Sequence, residues 1–223
     1  MKFLSVRAVP TVSWSSSHPH NFTPPLITLG FLVGGLTVFG LGESLLIAAG
    51  IGVSPWTVLA QGFGSQAGIS IGWATFIVSV AVLLLWIPLK QMPGLGTILN
   101  AVVISIVIEL SLPVLPAPSN FFLQLLEATI GVMLVGIGSG FYLTARLGAG
   151  PRDGLMTGLQ KLSGYPIAWV RTSIEIAAVS AGWMLGGVVG IGTLMFAFGI
   201  GPAVSLGLFT VNKLFGQATA EAE

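Results

Sequence analysis

The chain has 223 residues, of which 54% are hydrophobic and 7% charged, with a mean hydropathy of +0.97 and a formal net charge of +1. Soluble domains carry roughly 25% charged residues, so this much apolar surface requires lipid as solvent. The small net charge and the lack of a basic aromatic patch exclude nucleic acid, and with no cysteine there is no disulfide or thiolate chemistry.

Residues 1–23 are polar, with Lys2, Arg7 and the run Ser15-Ser16-Ser17-His18-Pro19-His20. No apolar core of signal-peptide length follows Lys2, so the segment reads as a flexible cytoplasmic tail. His18 and His20 lack a nearby carboxylate or cysteine, which disfavours a metal site. Pro25 to Ala49 is the first spanning candidate, since a helix needs about 20 apolar residues to cross the hydrocarbon. Gly30 and Gly34 form a small-xxx-small step, as do Gly136 and Gly140, and Gly182 and Gly186; such steps let helices approach closely in lipid. Pro55 to Gln66 is too short and polar to span. Ile69–Leu89 is the second span, and Gly94-Leu95-Gly96-Thr97 opens a third that runs to Leu112. After a proline-rich loop, Phe121–Leu147 is the fourth. A short helix from Pro151 to Leu162, a fifth span over Pro166–Leu185 and a sixth from Gly190 to Lys213 complete the series.

With the N-terminus cytoplasmic, Lys2, Arg7, Lys90, Arg146, Arg152, Lys161 and Lys213 fall at inner helix ends. The outer loops 50–68, 111–120 and 186–190 contain no Lys or Arg. That is the positive-inside pattern. Both termini are expected inside, in a bacterial inner membrane.

Shifting the sequence by 96 residues aligns Gly40 with Gly136, Gly42 with Gly138, Gly52 with Gly148, and Pro55 with Pro151. Trp73 meets Trp169, and Gly94-Leu95-Gly96-Thr97 meets Gly190-Ile191-Gly192-Thr193, without a gap. Three spans per half is odd, so the second half enters from the opposite side. The expected fold is an all-α polytopic membrane protein of six spans in two inverted three-helix repeats, residues 24–118 and 119–214, before a tail at 215–223. Each repeat carries a short broken or re-entrant half-helix, an arrangement found in many secondary transporters.

The stretch Leu147-Gly148-Ala149-Gly150-Pro151-Arg152-Asp153-Gly154-Leu155, with Ser54-Pro55-Trp56 and the glycine-rich first span, resembles the YczE family of bacterial integral membrane proteins (YczE/YyaS/YitT-like). The resemblance covers roughly residues 25–212 and implies a bacterial inner-membrane protein.

Candidate site residues follow from charges and helix breaks. Proline tolerates the first helical turn, whose free N–H groups and dipole favour an anion. Pro55 with Trp56, and Gly150 with Pro151, therefore mark two half-helix starts. Arg152 and Asp153 open the second start, where Trp56 and Thr57 stand in the first. Arg152 adds charge for an anion or enforces topology; Asp153 binds ligand or caps the helix. Glu43 is either a packing carboxylate bonded to N–H groups around Ser54–Thr57 or a ligand or proton site. Arg171 and Glu175, four apart on one helix face, form an internal ion pair or a substrate or proton site. Asn100 lines a cavity or bonds another helix. Glu109 and Glu127 are read as interfacial.

Catalysis finds no support. Both histidines lie in the tail, Asp153 is the only aspartate, and no zinc-protease or nucleotide-binding motif or cofactor signature occurs. The expected activity is movement of a small solute, anionic or zwitterionic and amino-acid-like, coupled to protons through Glu43 or Glu175. The alternative is a non-transporting module that assists a partner protein. Expected partners are the bilayer, the solute and protons; the sequence also admits a homodimer.

Overall fold

The structure is a computed structural model and describes residues 9–216. Lys2, Arg7 and the end of the C-terminal tail lie outside the described residues. Eight α-helices follow one another among the described residues: α1 (Leu26–Ala49), α2 (Pro55–Ala67), α3 (Ile71–Trp86), α4 (Leu95–Ser111), α5 (Phe121–Thr144), α6 (Pro151–Ser163), α7 (Ile167–Met184) and α8 (Ile191–Phe215). No strand occurs among the described residues. Among the described residues, four helices are long and apolar enough to cross a bilayer: α1, α4 with its terminal 3₁₀ turn, α5 and α8. The expected second and fifth spans are weaker. α3 has 16 residues, and α7 has 18 and carries Arg171 and Glu175. α2 and α3 qualify together only as a pair bent by 113°. The protein is a helical membrane protein.

α1 and α5 cross at the centre. Gly35 lies against Gly138 and Tyr142, while Gly42 lies against Gly131 and Val135. Rising numbers on α1 meet falling numbers on α5, so the two run antiparallel. α4 runs parallel to α1, with Gly40 beside Ile104 and Val107 and Ser111 Oγ donating to Ser44 Oγ at 2.7 Å. α8 runs parallel to α5, with Gly136 against Ala203 and Gly140 against Gly207. The steps expected at Gly30/Gly34 and Gly182/Gly186 are not contacts as such. A Cβ on Gly30 or Gly34 would meet nothing within 4 Å, Gly182 packs alone on Leu59, and Gly186 lies in a turn.

Local geometry recurs at a spacing of 96 residues. All eight residues with left-handed φ among those described fall into four pairs: Gly50/Arg146, Gly52/Gly148, Gly68/Gly164 and Lys90/Gly186. Contacts recur reciprocally as well. Gly96 N donates to Leu147 O (2.7 Å), and Gly192 N donates to Ile51 O (2.8 Å). Gly62 packs on Leu185, and Gly158 packs on Leu89. α2 packs on α7, and α6 packs on α3. One pair breaks the rule: α3 packs along α4, but α7 forms no comparable seam with α8.

Residues 9–23 of the segment read as a flexible tail pack against the helices. Trp14 is 4% exposed, stacked on Phe31 with ring centroids 4.4 Å apart and edge-on to Phe215. Thr28 Oγ1 donates to Trp14 O, Ser15 Oγ to Thr144 O, and Ser16 N to Ala145 O. The segment straps one end of α1, α5 and α8. A buried indole and paired backbone groups outweigh the polar composition that suggested disorder. His20 Nε2 lies 3.3 Å from Met92 O, and His18 Nε2 lies 3.3 Å from Ser17 Oγ.

Candidate functional site

After α5, the backbone turns through Arg146 (φ 54°) and Gly148 (φ 117°) before Pro151 starts α6. A side chain at Gly148 would meet Thr97 Oγ1 and the Gly94 backbone, so glycine is required for fit as well as for φ. Thr97 Oγ1 donates to Ala149 O at 2.7 Å. Trp86 Nε1 donates to Pro151 O at 2.9 Å, and its ring fills the space beside Gly154. The start of α6 is thus held by α3 and α4. The start of α2 is built alike, with Ser54 as N-cap, Pro55 in the first turn and Gly52 at φ 114°.

The two starts face one cavity of about 180 Å³. Pro55 and Trp56 line it from α2, Asn100 from α4, Gly150 to Asp153 from α6, and Arg171 and Glu175 from α7. Those are nine of the ten site residues named from sequence; Glu43 does not line the cavity. Phe39 of α1, Ser139 and Tyr142 of α5, and Phe196 and Ile200 of α8 also line it.

Arg152 is half-buried, with its guanidinium 5.7 Å from the centre of the Phe39 ring. The ring face attracts the cation. Among the described residues the guanidinium makes no hydrogen bond, and the only ion pair is Arg171–Glu175. Asp153 does not cap α6, because Gly150 is the N-cap and no side-chain cap bond forms. Its Oδ2 accepts from Tyr142 Oη at 3.0 Å. A Cβ on Gly150 would lie 3.3 Å from Tyr142 Oη and 3.5 Å from Asn100 Nδ2, so glycine leaves both polar groups close to the α6 start. The indole N–H of Trp56 is buried without a partner.

Arg171 Nε and Glu175 Oε1 are 3.0 Å apart, with side chains 55% and 31% exposed. The pair expected to be internal stands on the open flank of the cavity, where α7 leaves α8 uncovered. Glu43 is 1% exposed and lies behind the first turn of α2. Its Oε2 accepts from Ser54 Oγ (3.0 Å) and Thr57 Oγ1 (2.7 Å), hydroxyls rather than the expected backbone N–H groups. Its Oε1 has no partner. The two halves therefore exchange roles. Glu43 on α1 takes a hydroxyl from α2, whereas Asp153 on α6 takes one from Tyr142 on α5. Glu109 accepts from Ser70 Oγ at 2.6 Å, and Glu127 Oε2 is buried without a partner.

Sequence reading missed Tyr142. A tyrosine late in an apolar helix must find a partner for its hydroxyl when buried, and the only aspartate of the chain lies on the next helix. Phe39, Ser139 and Phe196 carried no signal beyond ordinary apolar or small residues.

A polar, partly charged cavity between two proline-led short helices, enclosed by long apolar helices, defines a polytopic membrane protein with a central cleft. The chain belongs to a particular family: residues 26–208 match the model described as "Family of unknown function (DUF6198)". It is 41% identical over 209 residues to an "Uncharacterized protein" of Haemophilus influenzae, covering 94% of this chain and 95% of that one. It is 32% identical over 192 residues to "Uncharacterized membrane protein YczE" of Bacillus subtilis, covering 85% and 89%. It is 28% identical over 165 residues to "Uncharacterized protein YyaS" of the same organism, covering 72% and 82%. The resemblance to the YczE family is thereby established. No solved structure matches the chain.

Proposed function

We propose that this protein is a secondary transporter of a small anionic or zwitterionic, amino-acid-like solute, and not an enzyme. It has six spans in two inverted repeats, both termini on the cytoplasmic side of a bacterial inner membrane. Helix direction supports the span count. α1 and α4 run parallel, as do α5 and α8. If these four cross, parallel helices need an odd number of crossings between them. That favours one crossing by α2–α3 and one by α6–α7. The reciprocal contacts across 96 residues favour a two-fold relation between the halves. Because α1 and α5 would be exchanged by it and run antiparallel, its axis lies across them, in the membrane plane. The clustering of Lys90, Arg146, Arg152, Lys161 and Lys213 toward inner ends supports the orientation. Cysteines at Ser119 and Val189 are expected to react with an impermeant reagent applied to intact cells, and one at Ser163 is not. Labelling at Ser163 from outside removes the six-span arrangement.

The observation that carries the transport reading is Arg152. A guanidinium with five donors and no acceptor faces the cavity without a hydrogen bond, beside the positive end of α6. It suits a carboxylate, sulfonate or phosphate. Asp153 and Glu175, on the same cavity, suit an ammonium group. A charge inside a membrane is costly and marks a pathway or a ligand. The unpartnered oxygen of Glu43 makes that residue the proton carrier of choice. In proteoliposomes with an imposed pH gradient, a panel of amino acids and small carboxylates is expected to yield at least one accumulated solute with accompanying proton flux. Glu43→Gln is expected to retain solute exchange while losing gradient-driven accumulation. No flux of any panel member, with no solute protecting the protein against thermal unfolding, points to the module that assists a partner protein.

A further inference from the structure

A second, smaller cavity of about 30 Å³ lies beside the first. Its lining includes Trp56, Thr57, Thr75, Ser79, Asn100 and Ile104. Moved on by 96 residues, these are Arg152, Asp153, Arg171, Glu175, Phe196 and Ile200, and every one of them lines the 180 Å³ cavity. The two cavities are counterparts of unequal size. The helix seams beside them are unequal in the same sense. In the first half, α3 closes on α4: a Cβ on Gly72 would lie 2.8 Å from Ser105 O. The corresponding residues of the second half are Ala168 and Gly201. A Cβ on Gly201 would meet nothing within 4 Å.

We infer that these cavities are two access routes to one site, opened in turn as the α3–α4 and α7–α8 seams exchange their closed and open states. This rests on the transport reading above. Two packings of one repeated unit differ little in energy when each half can adopt either, and inverted repeats supply that equivalence. In the structure, the second half is open and the first closed. In the exchanged state, α7 packs on α8 as α3 now packs on α4. α3 then leaves α4, and the route past Thr75 and Ser79 widens.

The chemistry of the two routes differs, and the difference links the exchange to ligand. The open route displays Arg152, Asp153, Arg171 and Glu175; the closed one has Trp56, Thr57, Thr75 and Ser79 in their places. Closing α7 on α8 removes four charged side chains from water. Uncompensated charge in a dry site is expensive. Arg171 and Glu175 compensate each other, but Arg152 and Asp153 form no ion pair among the described residues, so the cation and the carboxylate each lack a direct partner. A zwitterion or anion on Arg152 lowers the cost of closure, so the loaded protein exchanges its seams more readily than the empty one. The closed route need carry no charge, because Arg152 lines both cavities and moves with the ligand between them.

The chain lacks cysteine, so the test needs no background removed. Cysteines are placed at Ala168 and Gly201, both exposed and neither lining a cavity, with a third at Ser79 as reporter. Oxidation is expected to join residues 168 and 201 and thereby hold α7 on α8. The Ser79→Cys thiol is then expected to react with a small charged thiosulfonate about tenfold faster or more, the least change that turns a minor state into the major one. Reduction restores the slow rate. A cross-link that leaves the Ser79→Cys rate unchanged overturns the inference. So does a spin-label pair at residues 168 and 201 that reports one long separation, with no short population, in the folded protein. Neither readout involves a solute. Seam exchange without flux in proteoliposomes would count against transport alone; flux without seam exchange would count against this inference alone.

Discussion

Gly42→Val is expected to lower the thermal unfolding midpoint in detergent by about 2–12 °C or to prevent accumulation of folded protein, whereas Gly34→Val on the same helix is expected to change neither. The estimate joins an overpacking penalty of about 1–3 kcal/mol with roughly 2–4 °C per kcal/mol for a chain of this size. A Cβ on Gly42 would stand 2.6 Å from Gly131 O and 2.7 Å from Val135 N. Both are backbone atoms in the middle of α5, so no side chain can rotate away. α1 and α5 must separate, and their crossing carries the buried core: Leu32, Leu36, Leu46, Val132 and Val135 belong to one cluster around it. In lipid, helix association rests on such close packing, since the hydrophobic effect does not distinguish neighbours from lipid tails. A Cβ on Gly34 meets nothing within 4 Å. Equal midpoints for the two variants would mean that α1 and α5 do not touch where the structure has them touch.

That contrast also marks what the sequence can and cannot disclose here. Glycine spacing identified α1 as a helix suited to close approach, but the step Gly30/Gly34 was the wrong face. The contact runs through Gly35 and Gly42, seven residues apart, because α1 is met by an antiparallel helix whose register no local pattern reveals. The half-helices were legible for a local reason. Proline fixes the first turn and a left-handed glycine closes the last, at Gly68 and Gly164. The strap at the N-terminus was not legible, since Trp14 finds Phe31 and Phe215 only in three dimensions. Among site residues, Arg152 and Asp153 announced themselves as charges in apolar surroundings. Tyr142 did not, because its role depends on the end of α5 lying beside the start of α6. The pairing of Arg171 with Glu175 followed from helical spacing alone; their position on an open flank followed from a seam that α7 and α8 do not form.

Arg152→Gln is expected to leave folding intact and to weaken the solute about tenfold to hundredfold. The first half of that expectation follows from the side chain's surroundings. Its guanidinium makes no hydrogen bond or ion pair among the described residues and rests only against Phe39, so glutamine breaks no network. Changes of this kind at half-exposed positions usually stay within about 0.5 kcal/mol. The second half follows from the ligand. A hydrogen bond to a charged group contributes roughly 1.5–3 kcal/mol, and each 1.4 kcal/mol is about tenfold in affinity. Arg152→Lys is expected to fall between the two, since it keeps the charge and loses the planar fork. Asp153→Asn separates the other end of the site. Its amide oxygen still accepts from Tyr142, so geometry is retained while the charge facing an ammonium group is lost. The decisive comparison is between a solute and its methyl ester. If Arg152 binds the carboxylate, the wild-type protein prefers the free acid and Arg152→Gln loses that preference, while Asp153→Asn keeps it. Should Arg152→Gln weaken acid and ester alike, the arginine acts on orientation in the membrane and not on the ligand, and the anion must be sought nearer Trp56, whose indole N–H is a buried, unpartnered donor of the cavity wall.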